Sequence, residues 1–307
     1  MGLATLMEQN TAPRWLIWLA LWTVYLVWGS TYLAIRVMVR TLPPLLSGGL
    51  RFVLAGAILL SILALRRGFH SVSVGRRELW SCTIVGTALL LGGNGLVSVG
   101  ETKVPSGLAA LVIASVPLWV VVLRSIFDGR VPLVTLAGVV VGFIGVGILV
   151  LPGGSSSGAP ISGLLVLLLA SMCWASGSYS STKLTLPRDP LVSTGVQMLS
   201  GGIVMTLVAL VTGEGATFHT SELTPSSVEA FLYLVVAGSL LAFTAYSWLL
   251  RNAPISKVAT YAYVNPVVAI FLGWWILSER VTPSVLIGAT VIVASVAFII
   301  RKDAVPA

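Results

Sequence analysis

Charge is what this 307-residue chain has least of: Asp, Glu, Lys and Arg together make up 9% of it. A soluble domain carries nearer a quarter, so 57% hydrophobic residues and a mean hydropathy of +1.01 exclude one. Histidine is almost missing. His70 and His219 stand in polar connections that fall on opposite sides of a membrane, so neither a metal triad nor a nucleophile–base pair can form. That argues against an enzyme. The two cysteines, Cys82 and Cys173, fall inside apolar runs and offer no disulfide or metal pattern; they read as packing residues. No carboxylate stands at the centre of an apolar run. Glu8, Glu78, Glu101, Asp128, Asp189, Glu214, Glu222, Glu229, Glu279 and Asp303 all sit in connections, tails or the end turn of a run. A carboxylate inside a membrane is costly and normally functional, so this absence argues against exchange of cations for protons. No ring of charge suggests a channel filter either.

What is present is apolar length. Ten runs, roughly 15–35, 44–65, 79–100, 105–126, 132–151, 161–182, 191–211, 228–250, 256–277 and 283–300, approach the about 20 residues a helix needs to span the hydrocarbon core. Short connections leave no room for a soluble domain. The expected fold is therefore an all-α integral membrane protein of ten transmembrane helices. The first run lacks a small-residue cleavage site and reads as a retained helix. Of 18 basic residues, 13 fall on the side that holds the N-terminus and four on the other, with Arg51 inside the second run. This bias predicts that both termini are cytoplasmic. It also accounts for the net charge of +8 without a nucleic-acid partner.

The runs repeat. Pro105 and Pro117 are 12 residues apart, as are Pro254 and Pro266. Trp28, Ser30, Pro44, Ser47 and Gly56 map by a constant offset of 146 onto Trp174, Ser176, Pro190, Ser193 and Gly202. Five helices per copy is an odd number, so the copies enter the membrane in opposite senses and the repeat is inverted. The expected organisation is a cytoplasmic tail at 1–14, a first five-helix repeat at 15–151, a linker at 152–160 (PGGSSSGAP), a second five-helix repeat at 161–300 and a cytoplasmic tail at 301–307.

WGSTYLAIR at 28–36, LPPLLSGGLRF at 42–52, GNGLVSVGETKVPSGLAALVIASVPLW at 93–119 and ATYAYVNPVVAIFLG at 259–273 together resemble EamA-type carriers of the drug/metabolite transporter superfamily. The resemblance covers almost the whole chain. It implies the five-plus-five inverted architecture and a multi-pass carrier of the bacterial inner membrane, usually an exporter of small metabolites. Members include the YddG-like exporters of aromatic amino acids. The implied activity is secondary transport of amino acids or similar metabolites by alternating access, facilitative or weakly coupled. The alternative is a proton-coupled carrier of nucleobases, sugars or xenobiotics. No cofactor or metal is implied; the expected partners are a small-molecule substrate and the bilayer, and the expected assembly is a monomer or weak dimer.

The residues suited to a substrate site are uncharged polar and aromatic ones within the runs: Trp28, Ser30, Asn94, Trp174, Ser176, Tyr179, Gln197, Tyr246, Tyr261, Tyr263 and Asn265. Amides and hydroxyls orient amino and carboxyl groups, and aromatic faces accept apolar bodies or an ammonium. Helical spacing puts Tyr261 and Asn265 on one face of the ninth run and Tyr263 nearly opposite; the sequence leaves open which face meets a cavity. Arg36 and Arg51 are candidates to hold a carboxylate, against snorkelling or pairing with Glu101 or Glu279. Glu101 is the one carboxylate suited to coupling, against a capping or surface role. Pro117 and Pro266 are expected helix breaks. The exposed-end tryptophans Trp15, Trp18, Trp22, Trp274 and Trp275 read as interface anchors, and Gly138, Gly142, Gly145 and Gly147 as sites of close helix packing.

Overall fold

A computed structural model describes residues 13–129, 131–150, 159–216, 218–253, 255–258 and 260–303. All regular structure among them is helical. The expected linker, except its last two residues, lies outside the described residues, as do Arg130, Pro254 and the outer parts of both tails. Among the described residues seven helices are long and apolar enough to cross a membrane: α1 (Arg14–Met38), α2 (Pro44–Arg67), α3 (Arg76–Glu101), α4 (Ser106–Phe127), α6 (Ile161–Ser181), α7 (Pro190–Val211) and α8 (Pro225–Leu249). Three further apolar helices are shorter in their apolar extent: α5 (Leu133–Val150), α9 (Tyr261–Leu277) and α10 (Pro283–Asp303).

Proline writes most of the starts. It occupies the first helical position of α2, α7, α8 and α10, or the position just before the helix in α1, α4, α5 and α6. The first turn of a helix has no use for that N–H, and the fixed φ suits it. Where a side chain also caps, the pattern is the ordinary one: Asp189 accepts from the Leu191 N–H at 2.8 Å, and Thr224 from the Ser227 N–H.

Three helices depart from regularity, all beside the central cavity described below. In α3 the stretch Thr87–Gly95 is wound as π-helix, and in α8 so is Leu234–Leu241. The offset of 146 carries 87–95 onto 233–241, so the same local unwinding recurs at the same place in each copy. In α4, Pro117 separates Ser106–Ile113 from Val116–Phe127 by a turn at 114–115. Pro266, expected to break α9, instead lies within a helix that runs on from Tyr261 to Leu277. It stands only one turn beyond the helix start, so the one hydrogen bond it removes is to a first-turn carbonyl, that of Ala262.

Packing follows the repeat. α2 lies along α7 and α5 along α10, each pair joining equivalent members of the two halves. α1 packs on α8 and α9 of the other half, as α6 packs on α3 and α4. The α2–α7 contact brings backbones together: a Cβ on Gly56 would lie 2.6 Å from the Leu199 nitrogen, and one on Gly202 would lie 2.7 Å from the Val53 nitrogen. In hydrocarbon, dispersion between closely approaching helices replaces the hydrophobic drive. In α5, Gly138 and Gly145 admit the side chains of Ile299 and Ile292 of α10, and Gly142 admits Leu118 of α4 and Ser295 of α10. The outward faces stay apolar and exposed, including Trp15, Trp18, Trp22, Trp274 and Trp275.

Two carboxylates fasten helix ends across the halves. Glu279, just past α9, accepts from the Ser106 N–H at 2.8 Å, the Gly107 N–H at 3.1 Å and the Ser106 hydroxyl at 3.1 Å, at the start of α4. Glu214, just past α7, accepts from the Leu45 and Leu46 N–H groups at 2.9 and 2.8 Å, at the start of α2. Each supplies negative charge to the positive end of a helix dipole. Burial pushes the Glu214 carboxyl above the usual carboxylate range, and the two backbone donors oppose that shift. At the opposite end of the bundle Lys183 donates to Asp128 at 2.6 Å, Tyr179 donates to the same oxygen at 2.7 Å, and Arg67 pairs with Asp189 at 2.6 Å. The hydrogen bond from Lys183, then that from Tyr179, holds the Asp128 carboxyl below its ordinary range; the same bond raises the Lys183 ammonium.

Candidate functional site

A central cavity is bounded by α1, α2, α3, α4, α6, α8 and α9. In this conformation it leaves about 100 Å³ open to a water-sized solute, narrower than a fully open small-molecule pocket. Two pairs of repeat-related residues frame it. Trp28 and Trp174 come from α1 and α6, and Pro117 and Pro266 from α4 and α9. Each proline withholds an N–H from the carbonyl four residues back, Ile113 and Ala262. Both of those residues line the cavity too.

The tryptophans sit against the unwound stretches. Trp28 donates from Nε1 to the Gly238 carbonyl at 3.2 Å, inside the π segment of α8. Its ring meets Phe243, Tyr246 and Tyr261 with centroids 5.1, 5.1 and 5.2 Å away. Trp174 lies over Gly93, inside the π segment of α3, where a Cβ would come within 2.7 Å of its Cε3. A π turn displaces backbone from the ordinary ladder, and here it makes room for an indole in each half.

Polar groups decorate this frame unevenly. Arg51 and Asn94 reach the cavity from the first half, Asn265 from the second. The repeat counterpart of Arg51 is Gln197, whose amide donates to Ser193 at 2.9 Å outside the cavity wall. The counterpart of Asn94 is Leu240. In the orientation that satisfies its surroundings, the Asn265 amide donates to the Tyr25 and Tyr261 carbonyls at 3.3 and 3.2 Å. That leaves its oxygen as an acceptor.

The structure thus brings Trp28, Arg51, Asn94, Trp174, Tyr261, Asn265, Pro117 and Pro266 to one cavity. The face of α9 that looks inward is that of Tyr261 and Asn265. Tyr263 packs from the other side against the apolar core, as does Ile270. Tyr246 stands behind Trp28 and Tyr261. Ser30 bonds Tyr233 at 2.6 Å in an outward groove beside Phe271. Ser176 turns back on the Met172 carbonyl, Tyr179 is engaged by Asp128, and Gln197 by Ser193. Arg36 donates to the main-chain carbonyl of Glu101 and does not reach the cavity wall.

Glu101 is neither a cap nor a surface acid. Its side chain is fully buried, and neither carboxylate oxygen has a hydrogen-bond partner among the described residues. Its neighbour one turn back on α3, Val97, lines the cavity. Sequence reasoning passed over Thr31, Tyr32 and Phe243, which also form the wall. Thr31 and Tyr32 lie three and four residues beyond Trp28, so helical spacing alone points to them.

Two segments of the chain, 14–151 and 161–301, match the model of the EamA-like transporter family. The chain is 37% identical over 281 residues to the uncharacterized inner membrane transporter YedA of Escherichia coli (strain K12), covering 91% of this chain and 89% of that one. It is 27% identical over 286 residues to a probable amino-acid metabolite efflux pump of Salmonella typhimurium, covering 88% and 90%. A solved crystal structure superposes with a TM-score of 0.64 at 19% identity, covering 93% of this chain and 97% of that chain, a likeness of fold. The chain belongs to the EamA-like transporter family and is a multi-pass membrane protein.

Proposed function

We propose that this transporter moves amino acids and similar small metabolites out of the cell across the bacterial inner membrane, by alternating access around the central cavity. The observation that carries the reading is the cavity itself: aromatic faces, two amides and a guanidinium at the meeting of both halves. Such a wall holds a small solute by its polar end and covers its apolar body. The likeness to an amino-acid metabolite efflux pump supports the substrate class.

The architecture we infer is ten transmembrane helices in a five-plus-five inverted repeat, with both termini cytoplasmic. Three observations support it: the two matched segments, the paired packing of equivalent helices, and the recurrence of the π segments at an offset of 146. In inverted repeats the site lies between the halves, and access alternates as one half rocks against the other. Carboxylate-to-helix contacts at one end of the bundle, and ion pairs at the other, are suited to making and breaking in that motion.

Transport is facilitative or weakly coupled, a reading supported by the lack of an acid among the described residues that line the cavity. A second reading, proton-coupled carriage, is favoured by one feature, the unpartnered carboxyl of Glu101 close to the wall. The test is uptake of labelled amino acids into liposomes holding the purified protein, with and without a pH gradient, beside Tyr261→Ala and Asn265→Ala. Saturable uptake that ignores the gradient and is lost in the folded variants supports facilitated carriage through this cavity. A strict need for the gradient selects the coupled reading, and no uptake of any amino acid removes the substrate class.

A further inference from the structure

We infer that the cavity prefers an organic anion, a small carboxylate with an aromatic-sized apolar body, over the matching zwitterion or cation. This rests on the reading of the cavity as the transport site and narrows its solutes: within amino acids and similar small metabolites, those of net negative charge go ahead of neutral zwitterions.

Arg51 lies seven residues into α2, is 4% exposed, and lines the cavity. Its Nε donates to the Ser239 hydroxyl at 3.0 Å, and its guanidinium carbon lies 4.5 Å from the Phe52 ring centre. Among the described residues its two terminal nitrogens have no hydrogen-bond partner and the guanidinium has no ion pair. A charged group placed at membrane depth is costly and normally has a partner. The partner is not supplied by the wall, where Arg51 is the one charged side chain among the lining residues. Nor is it Glu279, which is held by the start of α4. A solute carboxylate can take both terminal nitrogens at once, in the bidentate geometry a guanidinium favours.

The repeat says what this charge is for. Were Arg51 part of the frame that holds the module together, its counterpart would share the role. The counterpart is Gln197, neutral and outside the wall. The frame of Trp28, Trp174, Pro117 and Pro266 is duplicated; the positive charge is not. An ammonium group finds no carboxylate in the cavity. The aromatic faces of Trp28, Trp174 and Tyr261 attract a cation modestly, but the guanidinium in the same low-dielectric space repels it. A zwitterion therefore gains at one end and loses at the other, and an amine only loses.

The test uses three probes with one body: 3-phenylpropanoate, phenylalanine and 2-phenylethylamine. Binding is read by tryptophan fluorescence of the purified full-length carrier, and transport by counterflow in liposomes. We expect 3-phenylpropanoate to bind at least tenfold more tightly than phenylalanine and the amine to bind weakest. Arg51→Gln loses that tenfold preference with its melting temperature kept, while Arg51→Lys keeps the ranking at lower affinity. Equal binding of the three by the wild-type protein, a preference for phenylalanine, or no binding at all overturns the inference, whether or not the variants fold. A preference unchanged in Arg51→Gln overturns it as well. Anion binding without counterflow sinks the transport reading and keeps the site. Counterflow of phenylalanine without anion preference does the reverse.

Discussion

Trp28 and Trp174 stand 146 positions apart, and each presses on the unwound stretch of a helix, one on Gly238 in α8 and the other on Gly93 in α3. The crossing is reciprocal: Trp28 comes from the first half and meets the second, Trp174 from the second and meets the first. The two indoles therefore sit where the rocking proposed above, of one half against the other, would act directly.

Gly93→Ala tests that contact. The added methyl would lie 2.7 Å from Trp174 Cε3 and 3.4 Å from Cδ2, so the indole must move. Overpacking of this kind costs about 1–3 kcal/mol. We expect a protein that still folds, with a lowered melting temperature and transport reduced at least tenfold. Gly238→Ala, whose methyl would meet Thr31 at 3.1 Å and the Arg51 terminal nitrogen at 3.3 Å, is the milder change. The ratio of the two transport rates is the measurement; equal rates would show that the Trp174 contact has no special role.

The carboxylate of Glu279 satisfies two N–H groups and a hydroxyl at the head of α4. Glu279→Ala leaves those donors without their partner, at a cost of about 0.5–2 kcal/mol, the range for a lost N-terminal cap. Amide exchange at Ser106 and Gly107 should quicken by about two- to thirtyfold, the factor that cost corresponds to. Glu279→Gln keeps one acceptor oxygen and should fall between. Exchange unchanged in Glu279→Ala would mean that α4 is held by other contacts.

At the other end of the bundle, Asp128 is held below the usual carboxylate range by hydrogen bonds from Lys183 and Tyr179. A carboxyl depressed in the folded state adds stability above its unfolded pKa of about 3.9 and loses it as pH falls through the lower folded value. Lys183 is raised, so its share persists up to about pH 10 and fades as pH climbs through its folded value. The melting-temperature difference between wild type and Asp128→Asn should thus be flat from about pH 5 to 9 and shrink outside that window. The pair is exposed, so the difference is small and salt-sensitive. A difference that grows on acidification would contradict the assignment.

Much of the architecture was legible because it rests on strong local chemistry. Proline at helix starts follows from its missing N–H, and the offset of 146 is visible in five residue pairs, from Trp28 and Trp174 to Gly56 and Gly202. The face of α9 was not, because Tyr261 and Tyr263 are chemically equivalent and only the neighbouring helices choose between them. The π segments were hidden as well. GGNG at 92–95 and its counterpart GSLL at 238–241 share no motif, and each stretch meets an indole from the other half that no local pattern announces. Arg51 and Gln197 occupy one repeat position, yet a single copy of the pattern cannot say which polar group turns inward. Glu101 stands in the end turn of α3 as expected, but its burial was not legible, for a geometric reason. Side chains point back toward the helix N-terminus, so an acid in the last turn of α3 is drawn down among α1 and α4.

Glu101 offers the sharpest division between coupled and uncoupled transport. The guanidinium of Arg36 binds its main-chain carbonyl, and the side-chain oxygens hold no hydrogen bond that a substitution could break. Glu101→Gln preserves shape and the Arg36 contact, so the melting temperature should be unchanged or higher, since an unsatisfied acid is replaced by a neutral amide. Counterflow, which needs no net proton movement, should persist. Any effect of an imposed pH gradient on wild-type net uptake should be absent from the variant. Loss of counterflow would make Glu101 part of the moving structure and not of coupling. Survival of a gradient effect would put proton movement on another group, and no acid stands among the described residues of the cavity wall to take it.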